Sequence, residues 1–255
     1  MRPSGSALRS VTQLGGVVAI RGRAAVARTA VIGRSDGWRP AGVFVAQRLL
    51  WPVLTAHRLS GEYLTDRRYG IDTRSRRVLT PEADDENHLG LYEPVAPSSL
   101  RRALDRLPID RSSCTFVDLG CGKGTAVVVV ATLAGFGRVV GVELEPELVD
   151  SARGNIERIR ATRPANDGEV EIVLADAKEY DLPAGPVVVY INNPFGEGIL
   201  RTVLDRALRS MRADPREMLF LFHTNATLSH VMPDYPAFAP VAYRRGWSAF
   251  RIARG

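Results

Sequence analysis

Lysine is nearly missing from this 255-residue chain. Of its 34 basic residues only Lys123 and Lys178 are lysine, and arginine carries almost all of the net charge of +6. A GC-rich coding genome produces that bias as readily as a nucleic-acid partner does, so the charge is a weak pointer to DNA or RNA. Cysteine is equally scarce. Cys114 and Cys121 flank one apolar run, which argues against a disulfide framework and fits a reducing, cytoplasmic setting. No Cys/His cluster has metal-ligand spacing, so no metal is expected. No apolar run reaches the roughly 18 residues that span a bilayer, and no transmembrane segment is expected. No segment repeats internally.

What is present is an ordinary globular balance, 45% hydrophobic and 24% charged, in a chain long enough for one α/β domain plus an extension. Residues 1–40 hold Arg2, Arg9, Arg21, Arg23, Arg28, Arg34 and Arg39 against a single acid, Asp36. A transit peptide and a mobile basic arm share that composition. Arg21 and Arg23 interrupt the apolar stretch that a secretory signal needs. Residues 41–60 read as an amphipathic helix kinked at Pro52, with packing on the core as the default fate of its apolar face. Residues 61–93, with an acidic turn at 81–87, read as a loop or lid. The domain proper is expected over 94–255.

From residue 95 the pattern is regular. Helices are predicted over 98–107, 124–134, 146–159 and 197–211. Strands are predicted over 115–119, 138–143, 170–176, 187–192 and 218–224, followed by a hairpin of 238–243 and 247–252. Strands alternating with helices imply a mainly parallel sheet covered on both faces, with an antiparallel edge.

Ligands of such sheets bind beyond the carboxyl ends of the strands, near the switch in strand order. The first strand ends in Asp118, followed by Gly120-Cys121-Gly122-Lys123-Gly124. Glycines bring backbone amides against a ligand. A dinucleotide fingerprint has its third glycine one residue later, where this chain has Thr125. A carboxylate two residues before the first glycine suits a cationic amine better than a pyrophosphate. The second strand ends in Glu143, placed to accept from ribose hydroxyls, and the third in Asp176, placed to accept from an adenine amine. Amino acid, ribose and adenine together describe S-adenosylmethionine. Acids also serve as caps and loop residues, but three in register with a glycine loop point to a ligand. Cys121 reads as packing inside the loop rather than as a nucleophile.

With these motifs the chain resembles the class I, seven-stranded S-adenosylmethionine-dependent methyltransferases over roughly residues 90–255. The resemblance rests on Val117–Gly124, on Gly141-Val142-Glu143 and on Ala175-Asp176-Ala177. It implies a Rossmann-like, doubly wound sheet. It places the methionyl part on Asp118 and the loop Gly120, Cys121, Gly122 and Gly124, the ribose on Glu143, and the adenine on Asp176 and Ala177. The acceptor is then expected at Asn192-Asn193-Pro194-Phe195, with Asn192 also beside the cofactor. That segment is similar to the N/D-P-P-F/Y signature of amine methyltransferases, with one proline missing. It also resembles the Asn-Asn-Phe-x-Phe segment of seven-stranded histone-lysine methyltransferases, Asn193 matching the second Asn and Pro194 replacing an aromatic. A carboxamide and a carbonyl there aim an amine at the sulfonium methyl, while Phe195 excludes water. Gly90-Leu91-Tyr92-Glu93-Pro94 resembles the Tyr-containing segment those enzymes fold over the cofactor, which puts Tyr92 and Glu93 in the site.

Several alternatives stand beside this reading. Asn-Pro also suits the start of a helix, with proline near its first position. His223 ends the fifth strand and reads as a structural histidine, or as one that takes a proton from the acceptor. His57, His88 and His230 carry no pattern. The acceptor is a protein, lysine first, or a small molecule methylated on nitrogen or oxygen. A nucleic-acid-binding module using the arginine arm is a further reading. An NAD oxidoreductase is disfavoured by the glycine spacing and by the lack of a Tyr-x-x-x-Lys set.

Overall fold

Proline opens the ordered domain. Pro97 stands in the first turn of helix α1 (Pro97–Leu104), where its missing N–H leaves no bond unmade, and Leu100, Ala103 and Leu104 form the buried stripe of that helix. The computed structural model describes residues 66–67, 70–73, 95–133, 135–162, 168–192, 195–223, 228–244 and 246–253. The basic arm, the helix expected at 41–60, the acidic turn, Tyr92, Glu93, Asn193, Pro194, His57 and His88 lie outside the described residues.

After α1 the chain runs β1 (Thr115–Leu119), α2 (Thr125–Leu133), β2 (Arg138–Glu143), α3 (Pro146–Thr162), β3 (Glu169–Leu174), β4 (Val187–Ile191) and α4 (Glu197–Ala213). It continues with β5 (Met218–His223), α5 (Leu228–Val231), β6 (Phe238–Arg244) and β7 (Trp247–Ile252). The seven strands form one sheet in the order β3-β2-β1-β4-β5-β7-β6. β1 to β5 are parallel, while β7 runs antiparallel to both β5 and β6. This is the doubly wound, mainly parallel seven-stranded sheet with a C-terminal hairpin that the pattern implies. Strand order reverses between β1 and β4, the place at which open α/β sheets bind their ligands.

The central strands are apolar on both faces. Phe116, Tyr190, Leu219 and Leu221 point into the core shared with α1, α2 and α3. Val117, Leu119, Val189 and Phe220 point into the core shared with α4 and α5. α2 is nearly uncharged and Val127 to Val130 are all buried, as a helix pressed on a sheet requires. Two details depart from expectation. β3 stops at Leu174, so Asp176 lies beyond the strand rather than at its end. α5 and the single 3-10 turns at Arg111–Ser113 and Met232–Asp234 had no periodic signal. Among the described residues no helix is long and apolar enough to cross a membrane.

Candidate active site

The glycine loop leaves β1 and is fastened to β2. The N–H groups of Gly120 and Cys121 both donate to the Val142 carbonyl, at 2.9 and 3.0 Å. Gly120, Gly122 and Gly124 adopt φ of 77°, 55° and 78°, the left-handed region that side chains disfavour. At Gly124 a Cβ would also stand 3.2 Å from that of Ala152 in α3, so the loop and helix are in close contact. Cys121 turns its thiol inward: a Cβ on Gly141 would lie 2.8 Å from the Cys121 sulfur. Burial pushes that thiol well above its ordinary range, with Asp118 and Glu143 adding to the effect. Cys121 is inert packing, its N–H on the Val142 carbonyl and its own carbonyl accepting the Gly124 N–H at 2.9 Å. Cys114 is likewise a free, buried thiol.

Asp118 is 3% exposed at the end of β1. No hydrogen bond from any described residue reaches its carboxylate. Burial holds its carboxyl well above the usual carboxylate range, and the nearby charge of Glu143 pushes the same way. Glu143 has the opposite environment. One carboxylate oxygen accepts the Gly122 N–H at 2.8 Å, and the other accepts from Leu144 and Glu145 at 2.8 and 3.0 Å. It closes the glycine loop onto the end of β2. Asp176 caps its own turn, accepting the Lys178 N–H at 2.8 Å and lying 3.4 Å from the Lys178 ammonium. Ala177 packs against the core below α4.

At the ends of β4 and β5 lies a feature that the linear pattern did not single out. Tyr190 is fully buried one strand over from Asp118, stacked on Phe116 at 5.6 Å and edge-on to His223 at 5.5 Å. Its hydroxyl and His223 Nδ1 are buried and make no hydrogen bond. The other His223 nitrogen shares a 3.2 Å hydrogen bond with the Ser99 hydroxyl of α1. Burial lowers the His223 pKa to about 4. The imidazole therefore stays neutral at physiological pH and is too weak a base to take a proton from an amine. The signal for Tyr190 was a lone hydroxyl in the apolar run Val187–Ile191.

Asn192 is half-buried just past β4. Phe195 is buried in the α4-side core. The N-cap of α4 is Gly196 and its first helical residue is Glu197. Pro194 is thus three positions ahead of the helix, which removes the reading of Asn-Pro as a helix start.

Residues 116–214 match a family described as "Methyltransferase domain". Over 107 residues the chain is 34% identical to the ribosomal protein L11 methyltransferase of Dechloromonas aromatica, covering 38% of this chain and 36% of that one. It is 32% identical over 110 residues to the trans-aconitate 2-methyltransferase of Azoarcus, covering 40% and 42%. It is 27% identical over 118 residues to a protein-lysine N-methyltransferase of Saccharolobus islandicus, covering 46% and 70%. The match to the L11 methyltransferase therefore spans little more than a third of that relative's length.

Proposed function

We propose that this chain, whose residues 116–214 match a methyltransferase domain, moves a methyl group from S-adenosylmethionine to an acceptor nitrogen, that of a protein lysine first. The observation that carries the cofactor assignment is Asp118. A buried carboxylate with no donor among the described residues, beside a loop of left-handed glycines, fits the ammonium of the methionyl group. Glu143 keeps acceptor capacity for ribose on the oxygen that holds only the Gly122 amide. Asp176, exposed enough to meet a ligand, is left for the adenine amine.

S-adenosylmethionine, when bound, supplies an electrophilic methyl on a sulfonium. The chain's own task is then to orient a neutral amine and keep water away. Asn192, half-buried just past the end of β4, and Asn193, the next residue in sequence, are proposed to orient it. A fully buried aromatic floor of Phe116 and Tyr190 lies beneath that end. No strong base is required for the transfer itself, which agrees with a His223 held neutral. The resemblance of 192–195 to lysine methyltransferases supports a protein acceptor, as do the names of two relatives. The trans-aconitate relative supports the competing small-molecule reading.

Incubation of the full chain with radiolabelled S-adenosylmethionine and host lysate separates these. Label recovered as methyl-lysine in the protein fraction supports the proposal. Label confined to small molecules or RNA overturns the acceptor. No transfer, together with no binding of S-adenosylhomocysteine in calorimetry, overturns the enzymatic reading.

A further inference from the structure

We propose that Asn155 is a positioning residue for the cofactor, locking the glycine loop to residues 70–73 so that cofactor binding and the ordering of Asp72 are linked. The inference rests on the cofactor reading above.

Asn155 lies in α3, only 1% exposed, and every hydrogen-bonding position of its amide is used. Its Nδ2 donates to the Asp72 carbonyl and to the Lys123 carbonyl, both at 3.0 Å. Its Oδ1 accepts the Asp72 N–H at 3.0 Å and an Arg158 N–H at 3.2 Å. The two bonds to Asp72 are those a neighbouring strand residue makes, here supplied by a side chain 83 positions away. Lys123 closes the ring: its ammonium donates to Asp72 Oδ2 at 3.0 Å while Asn155 holds its carbonyl. The far side of this short segment is fixed too. The Asp66 carboxylate accepts the Thr73 N–H and hydroxyl at 3.2 and 2.6 Å, and its carbonyl accepts the Ile71 N–H at 3.1 Å.

The consequence follows from where Lys123 sits. It is the residue between Gly122, whose N–H is on Glu143, and Gly124, which is packed against Ala152. Holding the Lys123 carbonyl fixes the Lys123–Gly124 peptide, the second of the two that join the glycines. Both have left-handed φ and little side-chain resistance to turning. Without Asn155 that peptide keeps only the Gly124 N–H bond to the Cys121 carbonyl at 2.9 Å, and the amides around it are held less firmly. A site that holds the loop and a segment that holds the same loop are coupled, and the coupling is reciprocal. A merely structural asparagine would set stability without transmitting the cofactor's arrival to Asp72.

The test is hydrogen exchange on the full chain with and without saturating S-adenosylhomocysteine, paired with calorimetry. In the wild type the cofactor product slows exchange across 70–73. Asn155→Ala and the isosteric Asn155→Asp, whose carboxylate cannot donate, abolish that slowing and weaken binding about tenfold. Asp72→Ala removes an exposed carboxylate and keeps both backbone bonds, so it weakens binding only roughly two- to fivefold. Wild-type binding with unchanged exchange at 70–73 sinks this inference alone. So does wild-type affinity in a folded Asn155 variant. Should the Asn155 variants not fold, the wild-type exchange and Asp72→Ala still decide. Absence of any binding to the wild type overturns the cofactor reading and this inference with it.

Discussion

Asp118 and Tyr190 lie opposite each other in the β1–β4 pair, both buried, and neither side chain is hydrogen-bonded to a described residue. Natural cores rarely leave two such groups side by side without a ligand or water to satisfy them.

Asp118→Asn separates the cost of this arrangement from its use. Removing the buried, uncompensated charge raises the melting temperature of the ligand-free protein. The same change removes the partner of the methionyl ammonium and weakens S-adenosylhomocysteine binding by about 1–3 kcal/mol. Thermal denaturation and calorimetry on one preparation read both effects. Unchanged affinity rules out the role assigned to Asp118.

The raised Asp118 pKa fixes a pH dependence. Its folded value lies above its unfolded value, so its contribution to stability is greatest below the ordinary aspartate pKa and is lost as pH rises through the folded value. Pairing with the ammonium reverses that preference. Binding below the raised pKa therefore releases a proton, and affinity falls as pH is lowered. Calorimetry in buffers of different ionisation enthalpy detects the released proton in the wild type and not in Asp118→Asn.

Glu143→Gln acts in the opposite sense on stability. The carboxylate accepts three backbone N–H groups, and a carboxamide keeps only one acceptor oxygen. Either Gly122 or the Leu144–Glu145 pair then meets an N–H instead of an oxygen. The variant loses about 1–3 kcal/mol of stability and binds cofactor more weakly. A stability equal to wild type would show that Glu143 does not close the loop.

Much of this was legible in the chain. β1 and β2 have the bounds that their apolar runs predict, because each run is short, flat in polarity and closed by an acid. The two acids nearest the glycine loop were legible for the same reason. What was not legible depends on partners far away in sequence. Nothing near Asn155 marks it as buried: it stands among charged residues in an amphipathic helix, and its partner Asp72 belongs to a stretch that reads as loop. Asp176 was read as a strand end because the apolar run before it is continuous, yet its carboxylate turns back to cap the following turn. Local hydrogen bonding to the backbone won over the periodic pattern there.

His223 makes the pH behaviour asymmetric. Its folded pKa of about 4 lies below the ordinary 6.5, so the unfolded chain binds the extra proton and stability falls as pH drops through that interval. The loss reaches about 3 kcal/mol. His223→Leu, which cannot be protonated, flattens this acid limb in denaturation curves. In the wild type, turnover measured between about pH 6 and 8 shows no inflection from an imidazole acting as base. A break near 6.5 that disappears in His223→Leu would restore the proton-accepting reading.

Asn193 is the residue on which the acceptor assignment turns. α4 takes Gly196 as its N-cap, and Asn193 is the residue proposed to hold the acceptor amine. Asn193→Ala leaves S-adenosylhomocysteine affinity near normal and lowers turnover by at least about tenfold, because the lost bond orients the amine and not the cofactor. Asn193→Asp adds a charge that holds an ammonium in its protonated, unreactive form, so it raises the pH at which turnover reaches half its maximum. Single-turnover rates across pH, with cofactor saturating, distinguish this from a change in binding. Full activity in both variants would remove Asn193 from the site and leave Asn192 to orient the acceptor.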